Sequence, residues 1–433
     1  LHQLINFIKK NIYILGESIM FENHRGPFKN FLLLNPFIVD AQRPEGSRGS
    51  IRVRHGVITE IGNLSPEAGE QVWDLTGKVL IPGLIDAHVH LFASTMSVTN
   101  DHLFVSELAC AASRIMEGML RRGFTAVRDA GGADFGLVRA RSQGLISGPR
   151  LFISGRALSP TGGHGDFRAK TAHCSSDPEG LSGSHLTRLA DGVASVQVAA
   201  RDELRRGASQ IKIMASGGVM SPEDKISDLG FSFEEIRAIV QIAEDHGTYV
   251  MAHAHNSAAI QRACEAGVRT IEHGTLLTET AAKIMKAHNV FLVPTLSVAW
   301  SVTSGGHDSG LDADTIAKGN DIKRHALESL QTARRLGVRI GFGTDLLGMK
   351  AHQTQYTEFE LRSQVESAAE IMSSATRENA TILQMENRLG IIAPHAEADL
   401  LVMNENPFQD VRALLHSPPL GVICEGVAHV WQV

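Results

Sequence analysis

An α/β fold, a (β/α)8 TIM-like barrel with a small β-sandwich domain formed from both chain ends, is what this sequence of 433 residues predicts. Two observations point to it. Between about residues 81 and 393, apolar β-type runs alternate with amphipathic helical patterns, and eight such runs can be read. Repeated β-then-α units build a parallel sheet with helices outside it. On either side of that stretch the pattern changes to short alternating runs broken by Gly, Pro and Asn, which is how strands and hairpins read.

Residues 1–29 are read as an N-terminal extension. The stretch "LHQLINFIKKNIYILGESI" is partly apolar, but Lys9 and Lys10 interrupt it and it lacks a small-residue cleavage site. Its longest apolar run is too short to span a bilayer. Residues 30–80 contain "NFLLLNPFIVDA", "GSIRVRHGVITEIG" and "EQVWDLTGKVLIPG". Together with 394–433, which contain "ADLLVMNENP" and "GVICEGVAHVWQV", they are assigned to the sandwich. The barrel, 81–393, takes its strands from "LIPGLIDAHVH", "GFTAVRDAG", "RLFISGRAL", "QIKIMASGG", "TYVMAHAH", "RTIEHG", "FLVPTLS" and "RIGFGTDLLG". Helices fill the intervals. Ser232 followed by Glu235 is a capping box and Gly247 closes the helix it opens; a second helix runs from Ser257 to Gly267, and a third ends at Gly337. An open, doubly wound sheet is the competing arrangement, but no glycine-rich nucleotide fingerprint supports it.

Composition narrows the function. The chain is 43% apolar, with 41 Lys and Arg against 47 Asp and Glu and a net charge of -6. It holds no basic cluster interleaved with aromatics, so neither nucleic acid nor a membrane is expected as a partner. Cys110, Cys174, Cys264 and Cys424 share no CxxC spacing. That suits a reducing, cytoplasmic setting and argues against thiolate ligation. The twenty histidines stand out because several fall at strand ends.

In "DAHVHL", His88 and His90 point the same way, because strand side chains repeat every second residue. The fifth run ends in "MAHAHN" with His253 and His255, the sixth in "IEHG" with His273, and the eighth in "GFGTDLLG" with Asp345. A single strand-end histidine is usually an ordinary hydrogen-bonded polar residue. Four of eight strands ending in His or Asp is hard to obtain from packing, and imidazole with carboxylate suits Zn2+ or a similar first-row ion. Lys212 lies between Ile211 and Ile213 in an apolar strand, where an ammonium is costly unless paired or neutralised. A salt-bridged lysine is one reading. The other is a neutral amine that adds carbon dioxide and becomes an anionic bridging ligand.

The set "DAHVH", Lys212 in "IKIMASGGVMSP", His253, His273 and "GTD" at Asp345 resembles the metal-dependent amidohydrolase superfamily. Within it the chain is similar to the branch of prolidase-like Xaa-Pro and Xaa-Arg dipeptidases, the ochratoxin-hydrolysing amidase and, more distantly, imidazolonepropionase. The resemblance runs from about residue 30 onward and includes "TAVRDAGG", "SPTGGHGD" and "LGIIAPHAEADLLVMNENPFQD". It implies two divalent metal ions, Zn2+ first among the candidates: His88 and His90 on the more buried one, His253 and His273 on the more exposed one. Carboxylated Lys212 would bridge them, and Asp345 would be both ligand and catalytic base.

The reaction so implied is hydrolysis of an amide C–N bond in a small-molecule amide or dipeptide, either as a dipeptidase or as an N-acyl amino acid hydrolase of prolidase type. No GxSxG elbow supports a serine nucleophile. The alternatives are a mononuclear cyclic amidohydrolase or deaminase, and an amide or carbamate hydrolase with no need of a free carboxylate. Four further residues, His164, His255, Arg128 and Phe231, are candidates for substrate binding. His164 sits in the glycine-rich loop "SPTGGHGD", with backbone bonding as its other reading. His255 would contact the scissile carbonyl or cap the next helix. Arg128 would meet a substrate carboxylate, or else form a buried pair with Asp129 or another acid. Glu272 is expected on the opposite side from His273, in a structural role. Dipeptidase relatives often carry a carboxylate-binding tyrosine just before the capping box; here Gly230, Phe231 and Ser232 stand there, and Phe231 cannot donate a hydrogen bond. That favours a more apolar amide or carbamate. Self-association into a homo-oligomer is expected from the apolar helix faces.

Overall fold

The structure is a computed structural model that describes residues 29–95, 103–168, 185–221, 223–304 and 311–433. The extension expected over 1–29 lies outside the described residues, apart from Lys29.

The apolar runs of the middle region form parallel strands, buried almost throughout. Leu84–Val89, Phe124–Asp129 and Arg150–Ile153 pair in that order, each neighbour parallel. A second parallel sheet follows in space: Thr187–Leu189, Ala157–Ser159, Ile211–Met214, Val250–Asn256, Thr270–Leu276 and Phe291–Val293. Near-continuous apolar sequence is what strands covered on both faces require. The eighth run joins the two sheets. Ile340 bridges parallel to Leu292, while the Ala87 N–H donates to the Phe342 carbonyl at 2.8 Å and the Asp345 N–H to that of His88 at 2.8 Å.

Asn379 holds this junction. Its amide donates to the carbonyls of Ile85 at 2.7 Å and Phe342 at 2.8 Å, and its oxygen accepts from the Phe342 N–H at 3.0 Å. Three backbone groups of two strands are thereby satisfied by one fully buried side chain.

Helices cover the strands with apolar stripes. Val105–Arg121 buries Leu108, Ala112, Ile115, Met116 and Met119, the three- and four-residue spacing of one helical face. Phe233–Asp245 opens on the Ser232–Glu235 capping box, with Gly247 in the left-handed region just past its end. Ser257–Ala266 and Ala313–Leu336 end at left-handed Gly267 and Gly337. The last of these begins at Asp312, whose side chain caps it.

Both chain ends contribute to one six-stranded sheet, ordered Val427–Trp431, Gly421–Cys424, Leu400–Met403, Val79–Pro82, Phe37–Asp40, Arg43–Arg48. Four strands of the N-terminal portion, Val57–Gly62, Ser50–Arg54, Phe31–Leu34 and Val72–Asp74, form another sheet. Leu33, Ile51 and Val53 pack in one apolar cluster with Leu80, Leu400 and Ile423, and the Trp73 and Trp431 rings approach to 4.4 Å. Val79–Pro82 pairs with the C-terminal strand, Ile81 opposite Leu401, and the chain passes within two residues into Leu84–Val89. The site-bearing first strand is thus fastened to the terminal sheet. No helix among the described residues is long and apolar enough to cross a membrane.

Asn379→Ala would remove the side-chain partner of the Ile85 carbonyl and of the Phe342 N–H, while the Phe342 carbonyl keeps the Ala87 N–H; the cost is roughly 1–3 kcal/mol for each group left unpaired. The expected result is a urea midpoint lowered by the equivalent of roughly 2–4 kcal/mol; an unchanged midpoint would show that the strand junction does not depend on this residue.

Candidate metal centre

The strand that carries "DAHVH" is buried along its length, and His88 and His90 leave it on one face. The Nε2 atoms of both turn toward Asp345 Oδ1, at 3.5 Å and 3.3 Å. Asp345, in the "GTD" turn of the eighth run, has φ 53, and His273, within Thr270–Leu276, has φ 72. Left-handed backbone is unfavourable for either residue, so its presence at two converging strand ends is a local cost retained where geometry is functional. Gly343 permits the approach: a Cβ there would lie 2.7 Å from that of His88. Lys212 Nζ lies 3.5 Å from His88 Nε2. His253 and His273 complete the group, their rings 4.6 Å apart.

His88, His273 and Asp345 offer ligand atoms that all lie within 4.8 Å of one another. All six expected ligands line one cavity, together with His164 and His255. Burial sets their charge. It pushes His88, His253 and His273 well below the ordinary imidazole range, His90 down to about 4 and His255 to about 3. Their nitrogens therefore keep lone pairs at neutral pH. Burial also lowers the Lys212 ammonium to about 8, against the pull of Glu272 and Asp345, and raises the Asp345 carboxyl to about 7, against Lys212. Neutral imidazoles with a carboxylate, shielded from water, fit a first-row divalent cation.

Each histidine has its other nitrogen occupied, which selects the atom it can offer. His90 Nδ1 meets the Gly131 carbonyl at 3.0 Å, His273 Nδ1 the Thr295 hydroxyl at 2.6 Å and His255 Nδ1 the Thr275 hydroxyl at 2.7 Å. His253 instead places Nε2 3.2 Å from the Gly217 carbonyl.

His164 is held from behind. Its Nδ1 lies 2.6 Å from the Ser221 hydroxyl, which bonds in turn to Asp224. Lys318 fastens that loop through the carbonyls of Ser221 at 3.1 Å and Asp224 at 2.9 Å. The ring stacks on His253 with centroids 4.3 Å apart and lies against Gly218, where a Cβ would come within 2.3 Å. The partner is a side-chain relay from "SGGVMSPED" and not the backbone, while the ring itself lines the cavity.

Two candidates sit elsewhere than expected. Phe231 is fully buried in the core beside Ile236, away from the cavity lining. It precedes the Ser232 cap, where an apolar residue packs on the fourth helical position as a hydrophobic staple, and here that position is Ile236. Its lack of a hydroxyl therefore alters no direct contact in the cavity. Arg128 is also fully buried and outside the lining. It forms the buried pair that was its other reading, and the acid is Glu272, at 2.9 Å.

Glu272 itself was expected to face away. The left-handed backbone at His273 interrupts the regular alternation within Thr270–Leu276, and Glu272 Oε2 lies 2.6 Å from His88 Nδ1. An acid beside a strand-end histidine is the one sequence signal for such a partner.

The sequence profile of the amidohydrolase family matches residues 79–428. Ochratoxinase of Aspergillus niger is 33% identical over 371 residues, 82% of this chain and 74% of that one. Among solved structures, a prolidase complexed with N-methylphosphonate-L-proline is 40% identical, with a TM-score of 0.89 over 93% of this chain and 100% of that one. A Xaa-Pro dipeptidase with bound methionine in the active site is 30% identical, with a TM-score of 0.83 over 93% and 100%.

In the metal-free protein a cation entering near neutral pH must displace protons from Asp345, held at about 7, and Lys212, held at about 8. Because ligands bind only when deprotonated, Zn2+ affinity should rise from about pH 6 to about pH 9, with proton release. Calorimetry in buffers of different ionisation enthalpy measures that release, and pH-independent binding without it would remove both residues from the ligand set.

Proposed function

The chain belongs to the amidohydrolase family and is a hydrolytic enzyme, and on that premise we propose that it is a binuclear metal-dependent hydrolase of amide C–N bonds in dipeptides or N-acyl amino acids. The observation that carries this is Lys212, fully buried, lowered toward neutrality and 3.5 Å from His88 Nε2 within the ligand cluster. A neutral amine can add carbon dioxide and release a proton, and the resulting carbamate can reach two cations. His88 and His90 would then hold one ion, His253 and His273 the other, with Asp345 beside the first. The barrel would span 81–393 and a β-sandwich 30–80 plus 394–433, an arrangement supported by the parallel strand order and by the sheet shared between chain ends.

Bound cations would supply what an amide and water lack at neutral pH, a polarised carbonyl and a readily lost water proton. Asp345 takes that proton as the water oxygen attacks the carbonyl carbon, then delivers it to the departing nitrogen. In the metal-free protein burial raises the Asp345 carboxyl, and a carboxylate beside the attacked carbonyl can take up that proton and give it back. His164, fixed through Nδ1, presents Nε2 to the substrate, and His255 faces the same cavity. Strands and helices hold these groups in place before substrate arrives, so little reorganisation is needed. Similarity to the prolidase and the Xaa-Pro dipeptidase supports a dipeptide, and similarity to the ochratoxinase supports an N-acyl amino acid.

Metal analysis with a screen of L-dipeptides against N-acyl amino acids, carbamates and lactones tests the reading. Two ions per chain and turnover of an amide are expected. Asp345→Asn should keep most of the metal and lose turnover by about 100-fold or more, and Lys212→Ala should lose both. One ion per chain with full activity on a ring substrate would overturn this reading in favour of a mononuclear cyclic amidohydrolase.

A further inference from the structure

Among the described ligand histidines, His88 alone has a carboxylate as its outer partner. His90 and His253 rest on backbone carbonyls and His273 on a hydroxyl, whereas His88 Nδ1 lies 2.6 Å from Glu272 Oε2. Glu272 is held by Arg128, whose Nη2 is 2.9 Å from Oε1, and it also accepts from the Thr270 hydroxyl. Arg128 is fixed in turn, with Nε donating to the Ala87 carbonyl at 2.6 Å and Nη1 to Thr270 Oγ1 at 3.3 Å. Neither Arg128 nor Glu272 has any solvent exposure. A carboxylate only accepts, so it forces the His88 proton onto Nδ1 and the lone pair onto Nε2. It also makes Nε2 a stronger donor than a neutral partner does. A hydroxyl can donate or accept and enforces neither tautomer.

We propose that Glu272, neutralised by Arg128, is a positioning residue that makes the two cation positions unequal: the position served by His88 Nε2 fills first and empties last. This rests on the two-cation reading above. The second position, served by His253 and His273, has a carbonyl and a hydroxyl as the hydrogen-bond partners of those rings, with the Asp345 carboxylate at 3.8 Å from His273 Nδ1, and is the looser one. The Arg128 guanidinium is needed because a buried carboxylate without a counter-charge would be costly. The pair therefore places a negative charge behind one ligand histidine without leaving the interior with net charge.

The test is a Zn2+ titration of the metal-free full-length chain, followed by calorimetry. The wild type should bind in two resolved steps. Glu272→Gln should weaken the tighter step by about 10- to 100-fold, the usual effect of losing an outer partner, and leave the looser step in place. Thr295→Val should do the reverse. Because Glu272→Gln leaves Arg128 unpaired, the double variant Arg128→Met/Glu272→Gln is measured beside it, with the melting temperature of each metal-free protein. In the wild type, 15N spectra of the imidazoles should show His88 protonated at Nδ1. Two equal steps, the opposite tautomer, or Glu272→Gln and the double variant weakening both steps alike would overturn the inequality while sparing the two-cation reading. A single bound equivalent would overturn both.

Discussion

Desolvation of charge is the constraint on which the rest of this structure depends. Arg128, Lys212, Glu272, Asp86 and Asp129 are almost wholly removed from water, and Asp345 is only slightly exposed. Each such group would be prohibitively costly alone, so the fold supplies partners. Asp86 accepts from the Thr344 hydroxyl at 2.7 Å, from Gln355 at 3.0 Å and from two backbone N–H groups. Asp129 accepts from the N–H groups of Leu91, Gly131 and Ala133. Burial still dominates, and it pushes Asp86 up to about 6 and Asp129 to about 7.

Those partners also position the site. Asp86 ties the first strand to the "GTD" turn through Thr344, one residue before Asp345. Asp129 ties the second strand to the segment just after His90. The interactions that make buried carboxylates tolerable are therefore the ones that bring His88, His90 and Asp345 to a common point. Stability and chemistry share the same hydrogen bonds, and the left-handed residues His273 and Asp345 sit where these ties converge. Strain of this kind persists only when surrounding contacts over-determine the backbone.

Around the donor cluster the outer partners divide by charge. Carbonyls and a hydroxyl orient His90, His253 and His273, and an ion pair orients His88. The same arrangement recurs at His164, where Ser221 and Asp224 stand behind the ring and Lys318 holds their loop. Here the imidazoles are kept neutral by burial, while Asp345 is held near neutrality by burial opposed by Lys212.

The parallel strands, the capped helices and the gathering of His88, His90 and Asp345 at one point were legible in the sequence because each rests on a local rule. Period-two alternation put His88 and His90 on one face, the capping box marked Ser232, and strand-end histidines pointed to one rim. That both chain ends are built of strands was legible for the same reason, since short alternating runs with turn residues read as strands wherever they occur. Which groups meet across strands was not legible. Glu272 reaches His88 over 184 residues and Arg128 over 144, distances at which partner choice depends on sheet register and not on spacing. Phe231 was misjudged because an apolar residue before a helix cap is drawn into the core whatever stands at that place in relatives. The sequence by itself determined which chemistry the chain carries; only the tertiary structure decided which acid stands behind which histidine, because that is settled by the register between strands far apart in the chain.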